Sequence, residues 1–66
     1  MNTNNLRECR HEAGLTVAEL SRKSRVSLAY IRQVEAGKVP LTRSMTKRLA
    51  IAIDVPVDEL MEENEE

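Results

Sequence analysis

The sequence predicts an all-α domain of five short helices, and three observations support this fold class. Apolar residues recur at helical spacing, capping residues precede the apolar runs, and no segment alternates apolar and polar residues as a half-buried strand does. With 66 residues, the chain is predicted to be one domain spanning residues 1–66, with an acidic tail at 62–66. This length is close to the lower limit for a single hydrophobic core.

The first helix is predicted from an apolar stripe that ends at a glycine. Leu6, Cys9, Arg10 and Ala13 follow the spacing i, i+3, i+4, i+7, which places them on one helical face. Gly14 stands where a C-terminal cap belongs. The stripe therefore faces the core, and Cys9 is interpreted as an inert core residue.

The second helix opens with a capping box. Thr16 and Glu19 form the pattern T-x-x-E, in which each side chain satisfies a backbone N–H of the first turn. The helix is predicted to run to Ser24, to bury Leu20 and to turn the small side chain of Ser21 toward a neighbouring element.

The third helix begins after Ser27 and ends at Gly37. Only Arg25 and Val26 separate the second helix from Ser27, so the two helices must cross steeply. The apolar residues predicted to face inward are Val26, Ile31 and Val34. A helix, a tight turn and a second helix form the arrangement that places the second helix, here about 28–36, in the DNA major groove.

The fourth helix is predicted to begin after Thr42. Its inward residues have apolar side chains at helical spacing: Met45, Leu49, Ala52 and Ile53. Residues 54–56 interrupt the pattern, and a fifth helix is predicted from Val57 to Glu62.

The charge is unevenly distributed along the chain. Residues 1–48 contain ten Lys and Arg against four acids, a net charge of +6, whereas residues 49–66 contain seven acids and no base. Such asymmetry is typical of a basic interaction surface with an acidic tail, although an ordinary solvated surface explains it as well.

Composition argues against several function classes. Cys9 and His11 are the only cysteine and histidine, so the sequence offers no disulfide, no metal-ligand cluster and no nucleophile–base pair. It contains no signal peptide and no long apolar span. We therefore expect a cytoplasmic protein without cofactor, metal or enzymatic activity, and without a membrane association.

Several segments together resemble one family. The segments LRECRHEAGLT, TVAELSRKSRVS, YIRQVEAGKVP, RLAIAI and VPVDEL extend from Leu6 to Leu60. In their order and spacing they resemble the phage-repressor and Cro-like helix-turn-helix family, also called the XRE family. The resemblance implies a five-helix, lambda-repressor-like DNA-binding domain with the helix-turn-helix at helices two and three.

The third helix then carries the expected base-reading residues. They lie on its outward face or at its N-terminal cap: Ser27, Leu28, Ala29, Arg32 and Gln33. Arg suits guanine O6 and N7, Gln suits adenine N6 and N7, and short apolar side chains suit the thymine methyl group. An exposed polar face without DNA contact is the alternative interpretation.

Phosphate contacts are expected around this helix. The expected residues lie at the start of the second helix, on the third helix, or beside the loop that follows it: Thr16, Val17, Tyr30, Lys38 and Arg43. For Val17 the contact would come from its backbone N–H. Tyr30 could instead pack beside the fourth helix.

Two further roles follow from the resemblance. Arg10 and Glu35 match a pair that forms a structural ion pair in many relatives, joining the first helix to the third. Dimers of the family commonly form through the fourth and fifth helices. The apolar residues that could form a dimer interface here are Ile51, Val55, Pro56 and Met61.

Some positions depart from the family pattern. Arg25 stands where relatives usually have a glycine with positive φ, and Asp54 replaces a glycine that often ends the fourth helix. Val17 replaces a glutamine that grips a phosphate, and Ser21 replaces a small alanine. Only the change at Val17 weakens an expected DNA contact.

The sequence thus predicts a homodimeric, sequence-specific regulator of transcription that binds a palindromic operator in double-stranded DNA. A small repressor or controller protein fits this description, and regulation could come from a protein partner. The alternative is a protein-interaction or antitoxin-like module that has kept the fold and reads DNA weakly or not at all. The apolar residues Val17, Leu28 and Ala29 and the near-neutral net charge of −1 favour that alternative.

Overall fold

The computed structural model describes residues 5–60, which fold into five α-helices and contain no strand. The helices are α1 Leu6–Glu12, α2 Val17–Ser24, α3 Leu28–Glu35, α4 Arg43–Ile53 and α5 Val57–Leu60. The predicted all-α fold class is confirmed, with the helix-turn-helix at α2 and α3. The predicted end of the fifth helix, Glu62, lies outside the described residues.

One hydrophobic core lies between the helices, and every helix contributes to it. Its aliphatic members with 0% exposure are Leu6, Leu20, Ile31, Val34, Leu49 and Leu60. Helix α2 packs against both α3 and α4, and α5 packs against α1 and α4. Burial of each such side chain contributes about 1.5–3 kcal/mol before conformational entropy is subtracted. The core therefore fixes α3 on α2, with one face of α3 turned outward.

The predicted inward stripe of the first helix is wrong at Ala13. Helix α1 ends at Glu12, and Ala13 is the exposed residue after it. Gly14 adopts a φ of +73°, so the chain leaves the helix before Ala13 can face the core. The residues that α1 buries are Leu6, Cys9 and Arg10.

The buried face of α4 also differs from the prediction. Ala50 is 2% exposed and Thr46 is 0% exposed, whereas Ala52 and Met45 are only half-buried. Ala50 and Ala52 flank the Leu49 and Ile53 stripe on opposite sides and at similar angles, so helical spacing alone does not decide which of them is covered. The packing of α4 against α2 and α5 decides which of them is covered.

Side-chain caps begin the three longer helices after α1. Thr16, Ser27 and Thr42 each accept a hydrogen bond from the backbone N–H three residues later, at 3.0, 3.0 and 3.3 Å. At Thr16 the bond is reciprocal, because its own N–H donates to the Glu19 carboxylate at 2.9 Å. Each cap contributes about 1 kcal/mol to stability, so local sequence determines where these helices begin.

The two ends of the described chain are joined. The backbone N–H of Asn5 donates to the carbonyl of Leu60 at 2.8 Å. The Cys9 thiol lies 3.9 Å from the carbonyl of Glu59. Burial raises the pKa of the Cys9 thiol, and nearby carboxylates including Glu59 raise it further. A neutral, unreactive thiol at neutral pH fits a structural role for this cysteine.

Within residues 5–60, no helix has the length and apolar character needed to cross a membrane.

Candidate nucleic-acid interface

The turn between α2 and α3 is built from short hydrogen bonds. Arg25 adopts a left-handed conformation, with φ 62° and ψ 27°, and its N–H donates to the carbonyl of Ser21 at 2.8 Å. The Ser21 hydroxyl donates to the carbonyl of Val26 at 2.6 Å, and the Val26 N–H donates to the Ser24 hydroxyl at 3.2 Å. These bonds pair polar groups of the turn with one another, and they hold the angle between α2 and α3.

Helix α3 has one buried face and one exposed face. Ile31 and Val34 are 0% exposed. The candidate base-reading residues on the opposite face and at the N-cap are all exposed: Ser27, Leu28, Ala29, Arg32 and Gln33. Leu28 is 37% exposed and is followed in the sequence by the smaller Ala29. The outward face therefore combines two apolar side chains in its first turn with an Arg and a Gln one turn later.

The N-terminus of α2 carries two candidate phosphate contacts, and they differ. Thr16 is exposed, and its hydroxyl oxygen accepts the Glu19 N–H while the hydroxyl proton can donate elsewhere. Val17 is half-buried and packs against the core, so its backbone N–H is the group that can donate to a phosphate. The Glu19 carboxylate beside them would repel a phosphate.

The α3–α4 loop spans residues 36–42, and two exposed cations lie in it or directly after it. Gly37 adopts a φ of +78°, and the Lys38 N–H donates to the carbonyl of Gln33 at 2.9 Å. Lys38 lies in the loop and Arg43 is the first residue of α4, and both are exposed. Their placement in and directly after the loop that follows α3 suits contact with the phosphates that flank a groove.

Tyr30 lies in the arrangement that the sequence offered as its alternative. Its side chain is half-buried against the core, and its hydroxyl donates to the carbonyl of Pro40 at 2.8 Å. The same hydroxyl lies 3.5 Å from the backbone N of Thr42 and can accept its proton. The hydroxyl has one proton, and the carbonyl of Pro40 already accepts it. A direct bond to a phosphate would need the same proton, so the structure favours the packing interpretation of Tyr30.

The ion pair implied by the resemblance is present. Arg10 Nε lies 2.8 Å from Glu35 Oε2, and Arg10 Nη2 lies 2.9 Å from Glu35 Oε1. Arg10 Nη1 also donates to the carbonyl of Leu15 at 3.0 Å, and Arg7 Nε lies 3.7 Å from Glu35 Oε1. The hydrogen bonds to Glu35 raise the pKa of the Arg10 guanidinium, although burial acts in the opposite direction. The pair fixes the C-terminal end of α3 on α1.

The candidate dimer residues are only partly available on the surface. Ile51 is 81% exposed and Pro56 is exposed, whereas Val55 is half-buried and packs against the core. Met61 lies outside the described residues. Ile51 and Pro56 therefore form the accessible part of the proposed surface.

Ile51 has a cationic surrounding that the sequence pattern did not indicate. It lines a shallow groove of about 250 Å³ together with Lys23, Ser24, Arg25 and Arg48. The three cations come from α2, from the turn and from α4, so their proximity depends on how the helices pack. The net charge of the sequence does not show that these three cations lie together.

The side chains that could bind a metal ion are scattered in the described part of the chain. His11 is exposed on α1. Within residues 5–60 no three His, Cys, Asp or Glu side chains are grouped as metal ligands would be.

Comparison with known proteins identifies the family. The family model described as "Helix-turn-helix domain" matches residues 4–63, which is nearly the whole chain. In a comparison with curated proteins, no match to this chain was found. The matched region contains all five helices, and the second helix of such a motif is the one that enters the DNA major groove. The chain belongs to the helix-turn-helix domain family of DNA-binding proteins.

Proposed function

We propose that this protein is a sequence-specific regulator of transcription, of the small repressor or controller type, that binds double-stranded DNA. The observation that carries the proposal is the outward face of α3. Its Leu28, Ala29, Arg32 and Gln33 side chains are exposed on a helix whose other face is held rigidly by the core. Arg and Gln can each form two hydrogen bonds to one purine, which makes this face suited to reading base edges.

Electrostatics supports the same function. The first 48 residues carry a net charge of +6, including Lys38 in the loop after α3 and Arg43 at the start of α4. A positive surface around a reading helix attracts the phosphate backbone and speeds association. The overall charge near zero combines this basic segment with the seven acids of residues 49–66.

We also propose that the protein acts as a homodimer on a palindromic operator, in the cytoplasm. Ile51, 81% exposed on α4, supports a partner surface, and Pro56 extends it toward α5. In a dimer that follows B-DNA, the two α3 helices would lie about 34 Å apart, one helical turn. Each copy would then read one half-site of the palindrome.

A protein-interaction or antitoxin-like function remains the second candidate. The observation that favours it is the same exposed Ile51, because an apolar residue beside three cations suits a protein partner as well as a second copy. In this alternative the fold is kept and DNA reading by α3 is weak or absent.

The test is selection of bound sequences from random-sequence duplexes with the full chain, followed by sequencing. We expect enrichment of a palindrome with half-sites about one turn apart. The matched control is the double variant Arg32→Ala and Gln33→Ala, which alters two exposed side chains and leaves the core intact. Failure of the unmodified chain to enrich any sequence contradicts the proposal and favours the interaction module.

A further inference from the structure

The hydroxyl of Tyr30 connects the reading helix to the α3–α4 loop. Tyr30 lies in the first turn of α3, where its own backbone N–H donates to the Ser27 hydroxyl at 3.0 Å. Ten residues along the chain, the carbonyl of Pro40 accepts the hydroxyl proton at 2.8 Å. The backbone N of Thr42 lies 3.5 Å from the same oxygen. One side-chain atom therefore contacts both ends of a short segment just before α4.

The loop is held at further points by α3 and by the core. The Lys38 N–H donates to the carbonyl of Gln33, and Leu41 is 6% exposed. Thr42 caps α4 by accepting the N–H of Met45. Tyr30 thus holds the segment from Pro40 to Thr42, which lies between the hydrogen-bonded start of the loop and the first turn of α4. This segment sets the direction in which α4 begins.

This arrangement connects the two kinds of DNA contact. Lys38 and Arg43 stand on either side of the segment that Tyr30 holds, and Arg32 and Gln33 lie on the helix that carries Tyr30. A loop that is ordered before binding loses less conformational entropy when its cations meet phosphates. The Tyr30 hydroxyl therefore joins the helix of the candidate base-reading side chains to the loop beside the candidate phosphate-binding side chains.

We propose that Tyr30 is a positioning residue: its hydroxyl holds the α3–α4 loop so that Lys38 and Arg43 meet phosphates while α3 reads bases. The inference rests on the proposed DNA-binding function. It replaces a direct phosphate contact by Tyr30, because a phosphate oxygen only accepts hydrogen bonds and the hydroxyl proton is already donated to Pro40.

The experiment measures operator affinity for the full chain and for Tyr30→Phe, which removes only the hydroxyl oxygen. The matched control is Ser44→Ala, which removes an exposed hydroxyl from the first turn of α4. We expect Tyr30→Phe to weaken binding about two- to tenfold, the scale of one hydrogen bond. Ser44→Ala should leave the affinity unchanged. All variants are compared at a temperature at which circular dichroism shows each of them folded.

A double-mutant cycle with Lys38→Ala separates positioning from other roles. If Tyr30 positions Lys38, part of the lysine contact is already lost in Tyr30→Phe. The double variant should then weaken binding by less than the product of the two single effects. If the hydroxyl contributes only to folding stability, Tyr30→Phe leaves the affinity for DNA unchanged. If the hydroxyl contacts DNA directly, the effects of Tyr30→Phe and Lys38→Ala on affinity multiply in the double variant.

Each outcome decides the inference. Weaker binding with coupling to Lys38 supports it. Unchanged affinity in Tyr30→Phe, or effects that multiply, overturns the positioning role while DNA binding by the unmodified chain stands. If the unmodified chain binds no selected duplex, the proposed function itself fails, and the role of Tyr30 in it fails with it.

Discussion

The Arg10 guanidinium and the Glu35 carboxylate are joined by two hydrogen bonds, Nε to Oε2 at 2.8 Å and Nη2 to Oε1 at 2.9 Å. The Arg10 side chain is 10% exposed and that of Glu35 is 4% exposed, so water screens the pair poorly. Because the bonds join α1 to the last residue of α3, they hold the reading helix at its C-terminal end.

Removing one partner of this pair should destabilise the fold severely. Arg10→Met leaves the Glu35 carboxylate buried without its main partner, and we expect a loss of about 3–5 kcal/mol in the free energy of unfolding. The measurement is urea denaturation followed by circular dichroism. Arg7→Met is the matched control, because Arg7 is 62% exposed and lies 3.7 Å from the same carboxylate. The control should cost about 0–1 kcal/mol, and equal losses for both variants would contradict a structural role specific to Arg10.

The left-handed turn residue offers a stabilising change. Arg25 has a φ of 62°, which costs a non-glycine residue about 1 kcal/mol. Arg25→Gly should therefore raise the unfolding free energy by up to about 1 kcal/mol, less the extra chain entropy of glycine. Arg22→Gly, within α2, is the control and should lower it by about 0.5–1 kcal/mol. A loss of stability in Arg25→Gly would show that its side chain contributes more than the strain costs.

Truncation of Arg32 and truncation of Lys38 should have different effects on DNA binding. Arg32→Ala should weaken binding by about 1–3 kcal/mol and relax the preference at one base pair. Lys38→Ala should weaken all sequences alike and make the fall of log K with log[salt] shallower by about one. Titration of operator variants at several salt concentrations measures both effects. If Arg32→Ala weakens every sequence equally, Arg32 is a phosphate contact and its assignment to base reading is wrong.

The exposed isoleucine of α4 should control assembly. Ile51→Glu places a charge in the middle of the proposed two-fold interface, so sedimentation should show monomers at concentrations where the unmodified chain is dimeric. His11→Glu, on the exposed side of α1, adds the same charge elsewhere and should leave the dimer intact. An unchanged dimer in Ile51→Glu would remove Ile51 from the interface.

The apolar start of α3 should be detectable through one methyl group of the operator. If Leu28 or Ala29 contacts a thymine C5-methyl group, replacing that thymine with uracil should cost about 0.5–1 kcal/mol, the scale of one buried methyl group. Affinity for the two operators provides the measurement, and replacement of a thymine outside the half-sites is the control. If uracil has no effect while Leu28→Glu abolishes binding of a protein partner, the apolar pair belongs to a protein interface.

Local chemistry in the sequence determined the helices and their order. A Ser or Thr directly before an apolar helical run can accept the backbone N–H three residues later, so Thr16, Ser27 and Thr42 mark three helix starts without knowledge of the fold. The apolar spacing of Ile31 and Val34 likewise determined which face of α3 is exposed, because a helix has one period. The pairing of Arg10 with Glu35 came from family resemblance and not from any local pattern.

Only the tertiary structure decided the relations between helices. It covers Ala50 and leaves Ala52 half-buried, it places Lys23 and Arg48 beside Ile51, and it brings the Tyr30 hydroxyl to Pro40. Each of these depends on the angle and distance at which two helices cross. Those quantities are set by the packing of the whole core, whereas spacing along one helix gives only the direction of a side chain around its own axis.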